Sequence, residues 1–203
     1  ANYPHYQMSI TKSYTTMALG RAIQLGYLSM EDLDKPVLSF LKKLDASKLT
    51  KGASKITLHE AMHMSSGIRL HQKKIHQLID RPERLLGQGQ IQAYLQFSAP
   101  ISPYPRDYKY QASDPSITMQ ILQAVSPGTA EDFIRDELLK PMGIGNYHWQ
   151  EDLSGLPKSA AGSSLLSRDM IKMGLLVLNG GEWKGKQHIP GAFVKKATSP
   201  IVQ

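Results

Sequence analysis

The sequence predicts a mainly helical protein that folds as a single domain over residues 1–203. Apolar residues recur at helical spacing in stretches near 9–26, 36–43, 57–64, 89–97, 115–125, 129–140, 167–179 and 190–197. Strand patterns are confined to 147–149 and to 183–189, the second of which follows an Asn-Gly-Gly turn. Hydrophobic residues make up 41% of the chain and charged residues 20%, which is ordinary for a globular domain with a sizeable core.

Composition and charge exclude several classes of protein. The sequence has no run of about 18 apolar residues and no signal-peptide pattern, so we expect no membrane segment in this chain. It has no cysteine, which excludes disulfides, thiolate metal ligands and a cysteine nucleophile. The net charge is +7, but the basic residues occur as scattered pairs such as Lys42-Lys43 and Lys73-Lys74, without a nucleic-acid-binding signature. We therefore expect no nucleic-acid partner.

The first helical stretch opens with a serine and a lysine three positions apart, Ser9 and Lys12. On a helix the two side chains share one face, and a lysine can take the proton of a serine hydroxyl where its surroundings lower its pKa. The stretch ends at Gly26, so Ser9 is expected in the first turn, where free N–H groups can support an oxyanion. The pattern alone is common, and it more often marks an N-cap serine followed by a solvated lysine.

A proline- and glycine-rich middle, from Gly67 to about Arg106, predicts an irregular excursion with one helix in it. Tyr108 and Tyr110 follow this excursion, ahead of a helix that begins near Pro115. A tyrosine can relay protons where nearby cations stabilise its phenolate. The alternative is that both rings pack and leave their hydroxyls in water.

The run His59-Glu60-Ala61-Met62-His63 matches the H-E-x-x-H pattern, in which two histidines bind zinc and the glutamate acts as a base. A zinc site needs a third ligand, for which His76 and Glu83 are the candidates. The Ser65-Ser66-Gly67 turn, however, breaks the helix directly after the motif. Histidines that pack in a helix are the preferred interpretation, and a zinc peptidase remains an alternative.

Taken in order, motifs through nearly the whole chain resemble the serine β-lactamase and penicillin-binding protein-like family, which also includes esterases, D-amino-peptidases and amide-oligomer hydrolases. The nucleophile motif of that family is similar to Ser9-Ile10-Thr11-Lys12-Ser13, and its tyrosine motif to Tyr110-Gln111-Ala112. Further similar stretches are 22–28, 33–37, 56–67, 138–144, 161–170 and 178–183. The resemblance gives the H-E-x-x-H match an origin that involves no zinc.

This resemblance implies a serine hydrolase that acts on an ester or amide through an acyl-enzyme. Ser9 would be the nucleophile, Lys12 its base and Tyr110 the proton relay to the leaving group, with Ala112 and Ser113 at the substrate-binding positions. No metal and no organic cofactor are implied. The implied partner is a small-molecule ester, amide or lactam, and family habit suggests the periplasm or cell envelope of a bacterium. The alternative from the same family is a penicillin-binding or sensor module that is acylated without turnover.

Two departures from the family pattern matter. Ala112 stands where the family has an asparagine or serine that would hydrogen-bond the lysine and the substrate amide, which disfavours β-lactam turnover unless Ser113 or Asp114 compensates. The family's late-strand motif, Lys-Ser/Thr-Gly or His-x-Gly, has no counterpart here. We therefore expect the helical region of this α/β fold with most of the central antiparallel sheet missing from the chain. We also expect a fragment of a longer hydrolase, with little turnover of its own.

Overall fold

The computed structural model describes residues 2–103 and 106–200. Within them the helices are α1 Thr11–Gln24, α2 Leu58–Met62, α3 Gln72–Ile79, α4 Gly89–Phe97, α5 Ser113–Val125, α6 Ala130–Phe133, α7 Ser167–Leu178 and α8 Gly191–Ala197. The strands are β1 His5–Tyr6, β2 Tyr147–Trp149, β3 Ser163–Leu165, β4 Glu182–Trp183 and β5 Lys186–Gln187. The mainly helical prediction is confirmed for this part of the chain.

Three of the strands form one small antiparallel sheet in the order β1-β3-β2. Leu165 on the central strand pairs with His5 on one side and with Tyr147 on the other, and its side chain is fully buried. The predicted strand at β2 is confirmed, and the predicted stretch 183–189 holds part of the β4–β5 hairpin. β1 and β3 were not predicted. Strands this short display no alternating pattern, and Ser163-Ser164-Leu165 also lacks the aromatic residues that marked β2.

Helix α1 lies at the centre of the core and presents buried residues on most of its circumference, among them Tyr14, Ala18, Leu19 and Ala22. It packs against α5 and against a π-helical turn, Ile134–Leu139, that continues α6. Gly20 allows a particularly close approach, since a Cβ there would lie 2.6 Å from the Ile189 side chain and 2.7 Å from Phe193. Because α1 is enclosed in this way, its N-terminal end is a rigid base for the residues that precede it.

The middle of the chain contains two helices, α3 and α4, where the sequence predicted one. The helix missed is α3. Its Ile75, Leu78 and Ile79 do recur at helical spacing, but it is only 8 residues long and lies in the proline- and glycine-rich stretch, which favoured irregular chain. Other predicted helices are shorter than expected: 36–43 is reduced to a 3₁₀ turn at Val37–Ser39. None of the described helices has the length and apolar character needed to cross a bilayer.

Candidate active site

Ser9 lies in a 3₁₀ turn, Met8–Ile10, that runs directly into α1. The serine therefore precedes the α-helix proper, whereas the sequence predicted it inside the first turn. Met8 has a left-handed backbone with φ of 49°, an uncommon conformation for a residue with a side chain. The chain turns sharply there, and the Ser9 side chain is exposed to solvent.

The three residues predicted to carry the chemistry converge at this turn. Lys12 Nζ lies 3.2 Å from Ser9 Oγ and 3.0 Å from Tyr110 Oη. The same ammonium donates to the backbone oxygen of Ala160 at 2.7 Å, which uses all three of its donors. The Tyr110 hydroxyl in turn donates to Ser9 Oγ. Each of the three polar atoms is therefore within hydrogen-bonding distance of the other two.

Backbone and side-chain contacts to the segment around β3 fix the start of α1. The Thr11 and Ser163 hydroxyls are 2.7 Å apart and buried, and Thr15 Oγ1 donates to the backbone oxygen of Ser159 at 3.3 Å. On the N-terminal side of the serine, the backbone N–H of Gln7 donates to the backbone oxygen of Ser163 at 2.8 Å. The turn that carries Ser9 is thus held on both sides by residues 159–163. The sequence placed 161–170 among the family-like stretches but predicted none of these contacts, since most of them use main-chain atoms that no side-chain pattern reveals.

Electrostatics at the site centre on the phenol of Tyr110, which is 57% exposed. The hydrogen bond from the Lys12 ammonium, followed by the one to Ser9, lowers the pKa of the Tyr110 phenol below its ordinary value of 10.0. The ammonium also lies 4.6 Å from the centroid of the tyrosine ring. A cation at this distance favours the phenolate, so the phenol is a better proton acceptor here than in water.

The two predicted substrate-binding positions, Ala112 and Ser113, are placed differently from each other. Ala112 is exposed and immediately precedes α5. Ser113 is buried, and its hydroxyl donates to Asp114 Oδ2 at 2.9 Å. Asp114 is also buried, and burial raises the pKa of its carboxyl. Across the described residues, neither Ser113 nor Asp114 hydrogen-bonds Lys12, so neither replaces the side chain that an alanine at 112 lacks.

The H-E-x-x-H run begins on α2 and ends at His63, the C-cap of that helix, and structural contacts account for Glu60. Thr57 and Glu60 form a reciprocal capping box at the start of this helix, in which Glu60 Oε2 accepts from Thr57 N at 2.9 Å. The same oxygen accepts from the guanidinium of Arg106. The His59 and His63 rings are 4.5 Å apart, and burial lowers the pKa of both imidazoles. Across residues 2–103 and 106–200, no group of three potential ligands suited to a metal ion occurs.

An apolar groove of about 320 Å³ begins beside Lys12 and runs along α1 to α8, lined by Met17, Met62, Val177 and Phe193 among others. A larger cleft of about 800 Å³ lies between α3 and α4, and neither Ser9, Lys12 nor Tyr110 lines it. The lining of the groove includes Lys12 but neither Ser9 nor Tyr110, so it meets the site at the lysine.

Comparison with known proteins relates the chain to a described family and its fold to solved structures. The family described as Beta-lactamase matches residues 3–196. Comparison with curated proteins finds no match. Similar solved structures include a protein from Bacillus anthracis described as a 6-aminohexanoate-dimer hydrolase, with a TM-score of 0.75 and 19% identity over 97% of this chain and 53% of that chain.

Two further solved structures show the same likeness. An octameric penicillin-binding protein homologue from Pyrococcus abyssi has a TM-score of 0.67 and 18% identity over 96% of this chain and 48% of that one. A D-stereospecific amidohydrolase from Streptomyces sp. has a TM-score of 0.70 and 16% identity over 98% of this chain and 66% of that one. At these identities the likeness establishes the fold alone. The chain spans about half the length of the first two structures.

Proposed function

The chain belongs to the β-lactamase family, and on that premise we propose that the whole protein is a serine hydrolase that cleaves an ester or amide through an acyl-enzyme on Ser9. By the whole protein we mean these 203 residues together with any sequence that their gene encodes beyond them. The observation that carries the proposal is the mutual contact of Ser9 Oγ, Lys12 Nζ and Tyr110 Oη. Hydrolase activity is also consistent with the hydrolases among its structural neighbours.

The proposed reaction has two stages, acylation of Ser9 and hydrolysis of the acyl-enzyme. Ser9 Oγ attacks the substrate carbonyl while its proton passes to the Lys12–Tyr110 pair, which holds its protons either as ammonium and phenolate or as amine and phenol. The bond to the leaving group then breaks as Tyr110 returns a proton to the departing oxygen or nitrogen. Water hydrolyses the resulting acyl ester with the same pair as base, and Ser9 is regenerated. The Ser9 N–H is proposed as one donor to the oxyanion.

A small ester or amide is the first choice of substrate, with a peptidoglycan-related peptide or a β-lactam second. Ala112 supports this order, because it offers no side-chain hydrogen bond to the amide of a peptide or lactam. The apolar groove beside Lys12 suits an apolar group attached to the reacting carbonyl. The second candidate function, a penicillin-binding or sensor module, is favoured by the penicillin-binding protein homologue among the neighbours. It would form the acyl-enzyme and release it slowly.

Labelling by a fluorophosphonate probe tests the nucleophile. In the whole protein, intact-mass and peptide mass spectrometry are expected to find one adduct, on Ser9, and Ser9→Ala should abolish it. Residues 1–203 alone are expected to label little or not at all. Ser39→Ala is the control and should leave labelling unchanged, since Ser39 lies in the Val37–Ser39 turn and does not line the groove beside Lys12. An adduct that persists in Ser9→Ala would contradict the proposal.

The pH dependence of labelling tests the role of the tyrosine. Because the Tyr110 pKa is lowered, the labelling rate is expected to rise as pH passes through a value below 10, where the pair loses a proton. Tyr110→Phe should remove this rise and slow labelling by about 100-fold or more, the usual scale for losing a general acid-base group. Tyr94→Phe is the control, since burial raises the Tyr94 pKa to about 12. A rise that survives Tyr110→Phe would assign the titration to another group.

A further inference from the structure

We propose that the buried ion pair between Glu60 and Arg106 is a positioning device for Tyr110. Residues 106–112, which we call the tyrosine strap, begin at this pair and carry the phenol to Ser9 and Lys12. The effect of this positioning on catalysis rests on the proposed function. Whether the ion pair positions Tyr110 can be tested independently of that function. The proposal gives the motif glutamate Glu60 a role that involves no metal.

The ion pair is among the most enclosed charges of the described chain, with 3% of the Arg106 side chain and 8% of the Glu60 side chain exposed. Arg106 Nε also donates to Ser102 O at 3.1 Å. Its aliphatic stem lies against the turn after α2, since a Cβ on Gly67 would be 3.2 Å from Arg106 Cδ. Buried charges are retained where they are paired, so the beginning of the strap is fixed to α2 and to the turn that follows it.

Two further contacts join the strap to the same region. Lys109, directly before the tyrosine, donates its backbone N–H to Met64 O at 2.9 Å. Directly after it, the Gln111 amide donates to the buried Asp114 carboxyl, whose other oxygen accepts from Ser66 N at 3.2 Å. Both neighbours of Tyr110 are therefore tied, directly or through one residue, to the segment 60–66.

The phenol itself depends on this strap for its position. The Tyr110 side chain is 57% exposed, so the packing of its ring does not hold it in place. Its hydroxyl must nevertheless stay within hydrogen-bonding distance of Ser9 and Lys12. Displacements of about 1 Å at reacting groups can cost roughly 100-fold in rate. A strap released from Arg106 is expected to lose the short contacts of the phenol before the fold itself is lost.

The decisive variant is the double replacement Glu60→Leu with Arg106→Met, because exchanging a buried pair for apolar side chains often preserves stability. The 203-residue chain is titrated with and without Tyr110→Phe, in the wild-type and in the double-variant background. The difference in tyrosinate absorbance within each background is the titration curve of Tyr110. We expect its midpoint to move up toward the value for free tyrosine. In the whole protein, Ser9 labelling at neutral pH should slow at least about tenfold.

Thr57→Ala is the matched control. It removes the capping hydrogen bond that Glu60 N–H donates to the Thr57 hydroxyl at 3.2 Å, and it keeps the ion pair. It should therefore lower the melting temperature and change neither the Tyr110 titration nor the labelling of Ser9. A folded double variant with wild-type titration and labelling would overturn the proposal and leave the pair a purely structural element. If the double variant does not fold, Arg106→Lys takes its place, since a single ammonium keeps the charge but lacks the separate Nη1 and Nε donors that reach Glu60 and Ser102 O.

An unshifted titration in a folded Arg106→Lys variant would likewise overturn the proposal. A whole protein that is not labelled even as wild type would refute the proposed function, while the tyrosine titration would still decide whether the strap is positioned by the pair.

Discussion

Replacing Lys12 by methionine is expected to slow labelling of Ser9 in the whole protein by about 100-fold or more at neutral pH. The lysine contacts both other polar groups of the site, at 3.2 Å to Ser9 Oγ and 3.0 Å to Tyr110 Oη, so its loss removes a proton acceptor and the cation that lowers the tyrosine pKa. Methionine approximates the length of the lysine stem without its charge. The measurement is the second-order rate constant of labelling, with circular dichroism to confirm that the helices are retained.

Lys12→Arg separates the two roles of this lysine. Arginine keeps the positive charge beside the phenol but cannot lose a proton in a protein, so it can stabilise the phenolate and cannot serve as a base. If the lysine acts as the base, Lys12→Arg should be as slow as Lys12→Met. If its charge alone matters, Lys12→Arg should recover much of the rate.

The control is Lys172→Met, which removes a lysine that also donates to a backbone oxygen, that of Gly143 at 2.8 Å, but lies outside the site. We expect it to leave labelling unchanged. A Lys12→Met protein that labels within about threefold of the wild-type rate would show that the convergence of these side chains is not the source of serine reactivity.

The sequence could predict the contacts of this site only where the two residues are close together in the chain. Ser9 and Lys12 are three positions apart, and that spacing alone places them together at the start of a helix. Tyr110 lies about a hundred positions away, and only its place in a series of family-like motifs connected it to them. Ala160 contributes a main-chain oxygen, which any residue would supply, so no pattern could single it out.

The glutamate of the H-E-x-x-H run shows how a short motif can misdirect. Its spacing on the helix fits a metal site, but the same glutamate is three positions after Thr57 and therefore also fits a capping box. Its other partner, Arg106, comes from a segment 46 positions away that the sequence predicted only as irregular chain. The role of a buried carboxylate is set by such distant partners, and the periodicity of the sequence does not reveal them.

The fold was predictable where helices bury a continuous apolar face, as α1, α5 and α7 do. It was not predictable where a short amphipathic helix lies in a proline- and glycine-rich stretch, as α3 does, or where a very short strand lacks strand-favouring residues, as β3 does. The expectation that most of a larger central sheet lies outside this chain stays a prediction. β3 and the residues before it hold the Ser9 turn on both sides, through Gln7 before the serine and through Thr11 after it.

Gly52→Ala is expected to destabilise the fold strongly for the addition of a single methyl group, with a loss of roughly 2–5 kcal/mol in the free energy of unfolding. Gly52 has φ of +86°, which a residue with a side chain adopts at a cost, and its Cβ would lie 2.2 Å from the backbone oxygen of Ile101. A backbone atom cannot rotate away as a side chain can. The backbone at Ile101 is also held in place, because its N–H donates a hydrogen bond to Lys51 O at 2.9 Å. Urea or thermal unfolding of the 203-residue chain measures the effect. Each kcal/mol corresponds to about 2–4 °C for a domain of this size.

Gly26→Ala separates the two causes of that loss. Gly26 has nearly the same backbone conformation, with φ of +80°, but a Cβ there would meet nothing within 4 Å. Its replacement should therefore cost only the left-handed strain, about 1–2 kcal/mol, and the excess loss at Gly52 reports the collision with Ile101. The collision also bears on the site, because the Ile101 side chain lies 2.9 Å from where a Gly67 Cβ would be, at the turn that packs against Arg106. Equal losses at the two glycines would mean that the 51–52 and 101 segments separate at little cost, and that the chain leading into the tyrosine strap is less firmly held than these contacts imply.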